Sequence, residues 1–179
     1  MNNQLELRLS GSGGQGLITA GIILAEAALR DNKNAIQTQS YGPEARGGAS
    51  KAEVIISDSV IDFPKVTLPN MSLALTQVAS DKYIRDISED GTIIVDDSIE
   101  LPKDLKAKKI ISVPIIETAR TAIGKEIVAN IVALGLIVGL TGIVSAESLE
   151  AAILSRVPKG TEDLNKLALQ KGYELANQM

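Results

Sequence analysis

The chain has 179 residues, a formal net charge of −4, and neither Cys nor His. Those absences exclude a thiolate-bound iron–sulfur cluster, a disulfide, a Ser–His–Asp triad and a His/Cys zinc site on this chain. The acidic balance, with no basic run and with 2% aromatics, argues against nucleic-acid binding; the 45% hydrophobic content demands an aliphatic core, as in parallel strands covered by helices.

Met1-Asn2-Asn3-Gln4 lacks the basic-then-apolar profile of a secretory leader, so a cytoplasmic location is expected. Leu5, Leu7 and Leu9 alternate with Glu6 and Arg8, which predicts a first strand. Gly11-Ser12-Gly13-Gly14-Gln15-Gly16 follows on the G-x-G-x-x-G template, and Leu17 to Arg30 reads as a helix. Glycines in that setting permit a tight turn and close approach of a phosphate, whose charge the helix start attracts. A ligand-free strand-to-helix turn would use the same residues.

Ala35 to Gln39 predicts a second strand that delivers a second loop, Ser40 to Gly48. In it Pro43 presets a turn, Gly47 and Gly48 allow close approach, and Arg46 offers a planar fork to phosphate or carboxylate. Lys51 to Ser57 alternates charge with aliphatics, as in a half-exposed strand. Further strands are expected at 73–76, 92–95 and 109–113, with a helix at 80–87. Helices are expected at 116–123 and 126–140, broken at Gly124, and then from Ser145 and from Thr161. The apolar stretch 127–144 reaches the length of a short membrane span, but Asn130, Thr141 and three glycines interrupt it, so it reads as a buried helix and a turn. Asp96-Asp97, after a buried strand, reads as a turn or cap rather than a metal site. The expectation is one α/β domain over 1–179: a mostly parallel open sheet with helices on both faces, a Rossmann-like three-layer arrangement. Both glycine loops should meet at the carboxyl ends of the strands.

Three ligand readings compete. A nicotinamide site wants Asp or Glu at the end of the second strand, where Thr38, Gln39 and Ser40 stand; Arg46 is a displaced candidate for a 2′-phosphate. A nucleoside-triphosphatase loop fails at Gly124-Lys125, because Glu126 follows and Ala119 occupies the upstream glycine position. The third reading is another phosphate-bearing ligand, such as coenzyme A, or the surface of a partner subunit.

Three runs carry a family resemblance: Gly11 to Gly21, Gln37 to Gly48 and Asn130 to Gly135. In this order they resemble the signatures of the gamma subunit of the 2-oxoacid:ferredoxin oxidoreductases, the second run most like the 2-oxoglutarate branch. The resemblance implies a non-redox subunit, inactive alone. It would sit in an assembly that decarboxylates a 2-oxoacid on thiamine diphosphate, passes electrons through iron–sulfur clusters to ferredoxin, and releases an acyl-coenzyme A. The thiamine diphosphate and clusters would reside on alpha, beta and delta-type partners. Carried over residue by residue, Gly11, Gly13, Gly14, Gln15 and Gly16 would cradle a phosphate of coenzyme A, with Thr19 in reach. Arg46 would pair with a phosphate or a neighbour's carboxylate, and Tyr41 and Glu44 would shape that loop. No catalytic residue and no metal ligand is expected on this chain. An aliphatic surface left bare would favour dimerisation. A freestanding dinucleotide- or phosphate-ligand-binding module is the alternative.

Overall fold

Leu7 and Leu9 point to one side of the first strand, Arg8 and Ser10 to the other, and all four are buried. A strand hidden on both faces lies inside a covered sheet. The computed structural model describes residues 4–40 and 48–179 and shows that sheet. Its strands are β1 (Gln4–Ser12), β2 (Asn34–Gln39), β3 (Ala49–Ser57), β4 (Met71–Ala74), β5 (Thr92–Asp96) and β6 (Lys109–Val113), in the order β2-β3-β1-β4-β5-β6. β1, β4, β5 and β6 pair in parallel, whereas β3 is antiparallel to both β1 and β2. β2 therefore runs in the direction of β1, and β3 alone is reversed. The sheet is mixed and mostly parallel.

The main face packs under α1 (Leu17–Arg30), α4 (Ala129–Thr141), α5 (Ala146–Arg156) and α6 (Glu162–Ala176). α1 buries Leu17, Ala20, Gly21, Ile23, Leu24, Ala27 and Ala28, a stripe at helical spacing. Gly21 lets it lie close to the sheet, because a Cβ there would stand 3.3 Å from the Ala52 side chain. The apolar stretch is α4, buried along Ala129 to Val138, and it ends at Gly142 with φ 59°. A helix apolar all round belongs inside a core. Among the described residues, no helix is long and apolar enough to cross a membrane.

The opposite face is smaller. α2 (Gln77–Tyr83) covers it beside a second aliphatic cluster that includes Ile84, Ile93 and Val95. Here the half-exposed reading of β3 is corrected. Glu53 is only 9% exposed, because Arg8 donates to it at 2.8 Å and Lys51 pairs with it at 3.0 Å. Lys51 and Glu53 alternate toward a covered face, and a charge buried there requires such partners.

After β6 the chain is irregular. α3 (Ile115–Thr118) leads into a π-helical turn, Ala119–Ile123. Gly124 follows at φ 80°, then an extended Lys125 and a 3-10 turn, Glu126–Val128. The expected helix at 116–123 is thus a short helix and a π turn. The Asp96 carboxylate accepts from the Ser98 N–H and hydroxyl and from the Ile116 N–H, the cap expected of it.

Candidate functional site

β1 feeds α1 on the main face toward β2, while β4, on its other side, feeds α2 on the opposite face. The strand order reverses at this point, so a crevice opens at the carboxyl ends of β1 and β4, the usual ligand position in such sheets. The glycine loop sits there.

Each residue of the loop has a definable part. Gly14 has φ 93° and Gly16 has φ 71°, conformations in which a side chain is strained. Gly11 lies beneath Gln15: a Cβ at Gly11 would collide with the Gln15 amide oxygen and come 2.7 Å from Leu17. That oxygen accepts from the Ser12 N–H at 2.8 Å, so Gln15 staples the turn from above. The Gln15 N–H donates to the Ser12 carbonyl at 3.3 Å, and the Gly13 N–H donates to the Gly48 carbonyl at 3.4 Å. That last bond brings Gly48, the last residue of the second glycine loop, beside the first.

Of the four N–H groups from Gly13 to Gly16, two are therefore engaged within the fold. Those of Gly14 and Gly16 have no partner among the described residues. The first-turn N–H groups of Leu17, Ile18 and Thr19 have none within α1, because its ladder begins with the Ala20 N–H donating to the Gly16 carbonyl at 2.9 Å. Five donors at one helix start form an electropositive patch suited to an anion. Thr19 is exposed one turn on. Arg46, Tyr41 and Glu44 lie outside the described residues.

Two contributors escape the glycine template. Asn130 donates to the Gly16 carbonyl at 3.1 Å from the start of α4. Lys125 reaches the same neighbourhood: with Gly16, Thr19 and Asn130 it lines a cavity of about 250 Å³ between α1, the start of α4 and the start of α6. Ile23, Val128, Ile131 and Leu164 give its wall an aliphatic character. Of the two cationic side chains on that wall, Arg156 is committed to Glu26. The Arg156 hydrogen bond, opposed by burial, holds the Glu26 carboxyl below the usual range, as expected of a formed pair. Lys125 has no ion-pair partner among the described residues. The site can hold an anion with an apolar body. Among the described residues no cluster of three or more carboxylates could hold a metal.

The family model described as pyruvate ferredoxin/flavodoxin oxidoreductase matches residues 6–175. This chain belongs to that family. A keto/oxoacid ferredoxin oxidoreductase gamma subunit from Geobacter sulfurreducens PCA superposes with a TM-score of 0.85 at 51% identity, covering 98% of this chain and 99% of that one. The 2-oxoglutarate synthase subunit KorC of Methanocaldococcus jannaschii is 56% identical over 180 residues, 97% of this chain and 95% of the relative. The 2-oxoglutarate:ferredoxin oxidoreductase of Magnetococcus marinus, solved with 2-oxoglutarate, coenzyme A and succinyl-CoA, has a TM-score of 0.85 at 21% identity. It covers 98% of this chain and 31% of that one, and at that identity it speaks to the fold alone. The protein is a gamma-type subunit of a 2-oxoacid:ferredoxin oxidoreductase, with its strongest affinities to 2-oxoglutarate chains. It acts as part of an oxidoreductase complex, so other subunits are its partners.

Proposed function

We propose that this subunit serves a complex that oxidises 2-oxoglutarate to its coenzyme A thioester, and that the turn from Gly13 to Thr19 helps to hold the coenzyme. The similarity to a 2-oxoglutarate synthase subunit over nearly the whole length of both chains carries the first half. The N–H groups of Gly14 and Gly16 and the Lys125 ammonium, which have no partner among the described residues, support the second. Coenzyme A brings a pyrophosphate and a further phosphate, which suit a helix start, and a long arm that suits an aliphatic wall. The thiamine diphosphate and iron–sulfur clusters belong, in this reading, to alpha, beta and delta-type subunits. The gamma chain contributes binding and enclosure rather than a reacting group.

The topology disfavours a dinucleotide. In that fingerprint the second strand lies beside the first and its last residue reaches the ribose. Here β3 intervenes, so β2 stands two strand spacings from β1, roughly 9.6 Å. β2 also ends in Gln39, not in an acid.

The test is to isolate the complex without oxygen through a tag on this chain. Oxidation dependent on coenzyme A is then compared for 2-oxoglutarate, pyruvate and branched-chain oxoacids. A preference for 2-oxoglutarate is expected; a preference for another acid overturns the substrate. Gly14→Val addresses the cradle. A side chain at Gly14 meets nothing within 4 Å, so the change acts through the strained φ. An unaltered affinity for coenzyme A in that variant would remove the loop from the site.

A further inference from the structure

Asn130 is 8% exposed and lies in a helix whose other buried residues, Ala129 to Val138, are all apolar or glycine. A buried amide in such a place must find partners for both of its ends. Its Oδ1 accepts from the Ile131 N–H at 2.9 Å, and its Nδ2 donates to the Gly16 carbonyl at 3.1 Å, across 114 residues of sequence. A Cβ on Gly16 would stand 2.5 Å from that Nδ2. The amide therefore fills the space left by the side chain that Gly16 lacks, and the two residues require one another.

The Gly16 carbonyl belongs to a rigid plane that also holds the Leu17 N–H, pointing the opposite way. Whatever fixes the carbonyl fixes that donor. Gly16 in its left-handed conformation has no side chain to restrain it, and among the described residues its carbonyl otherwise meets only the Ala20 N–H at 2.9 Å. An aliphatic residue at 130 would pack equally well in α4 but could not donate to this carbonyl.

We infer that Asn130 is a positioning residue for the anion-binding turn: by holding the Gly16 carbonyl it aims the Leu17 N–H and so sets the affinity of the assembled enzyme for coenzyme A. This rests on the proposed placement of the coenzyme at the turn. The same bond ties the turn to the first turn of α4, which follows directly on the irregular segment 119–128.

The test uses the intact complex with Asn130→Ala, Asn130→Asp and, as a probe of the turn itself, Gly14→Val. KM is measured first for coenzyme A and then for the oxoacid, with the other substrate saturating. Asn130→Ala is expected to raise KM for coenzyme A about three- to tenfold, the worth of one hydrogen bond. Asn130→Asp should raise it further, because its carboxylate repels both the Gly16 carbonyl and a ligand phosphate. KM for the oxoacid and kcat should stay unchanged. If both Asn130 variants keep the wild-type KM for coenzyme A while Gly14→Val raises it, the positioning role is overturned and the coenzyme placement stands. If none of the three moves it, both fall. A parallel rise in both KM values, or a fall in kcat at saturating coenzyme A, marks a general structural role and overturns the inference. Where the aspartate variant fails to assemble, the alanine variant decides.

Discussion

Gly135 of α4 and Gly172 of α6 meet backbone to backbone. A Cβ on Gly172 would lie 2.8 Å from the Gly135 Cα and collide with the Val132 carbonyl; one on Gly135 would lie 3.0 Å from the Gly172 Cα. The obstructing atoms are main chain and cannot step aside by changing rotamer. Gly172→Ala should therefore force the helices apart despite the better helix propensity of alanine. The expected loss is about 1–3 kcal/mol, typical of overpacking, seen as a fall of roughly 3–10 °C in Tm. An unchanged Tm would mean that α4 and α6 are not packed this closely.

Tyr173 sits next to this seam, one residue on from Gly172. Its hydroxyl is buried and has no hydrogen-bond partner among the described residues. Burial, with the nearby Glu150 adding to it, pushes its pKa up, so the ring stays neutral. Tyr173→Phe removes an unpaired polar group and keeps the shape. Its Tm should equal or exceed that of the parent, by up to about 1 kcal/mol of stability. A clear drop would mean that the hydroxyl has a hydrogen-bond partner inside the fold, such as a buried water.

Much of the fold was legible because local pattern and tertiary burial agree. The alternation of Leu7 and Leu9, the aliphatic stripe of α1, and the Ser145 cap, which accepts from the Ser148 N–H at 3.1 Å, all follow from short-range rules. The burial of Arg8 and Glu53 was not legible. Charges alternating with aliphatics look the same whether they face water or each other, and only the pairing of β1 with β3 brings them together. The position of β3 between β1 and β2 is equally invisible to periodicity, since no local feature tells a strand which edge to join. In the site, the glycines marked the turn. The parts played by Asn130 and Lys125 depended on a contact spanning 114 residues and on a π turn that no propensity scale reports.

Asp31 joins the end of α1 to the start of α5. Its carboxylate accepts from the Ser145 N–H at 2.5 Å, the Ser145 hydroxyl at 2.8 Å and the Ser148 hydroxyl at 2.5 Å. Burial is the largest single influence and would raise its pKa. The bonds from Ser148 and Ser145, helped by Lys33, together outweigh it and hold the group below its ordinary value of 3.8. A depressed folded pKa contributes stability above the unfolded value and loses it as pH falls through the folded one. Asp31→Ala should thus cost about 1 kcal/mol at pH 7. The gap in Tm between parent and variant should begin to narrow near pH 4 and close below it. A gap that persists under acid conditions would show that the contribution is packing, not charge.

Lys125 gives the last prediction. The described arginines near it are already spoken for: Arg120 pairs with Glu117 and Glu126, and Arg156 with Glu26. The Gly124 turn at φ 80° and the extended backbone of Lys125 place this residue on the cavity wall shared with Gly16 and Thr19. A solvated ammonium attracts a phosphate through a field that salt screens, over about 10 Å at 0.1 M ionic strength. In the intact complex, Lys125→Ala should raise KM for coenzyme A about three- to tenfold at low salt, as for the loss of one charge-assisted contact. The variant should also respond less steeply to added salt than the parent. Because the side chain is exposed and has no ion-pair partner among the described residues, Tm should not move. Equal KM values and parallel salt curves would show that Lys125 faces solvent or a partner subunit rather than the coenzyme.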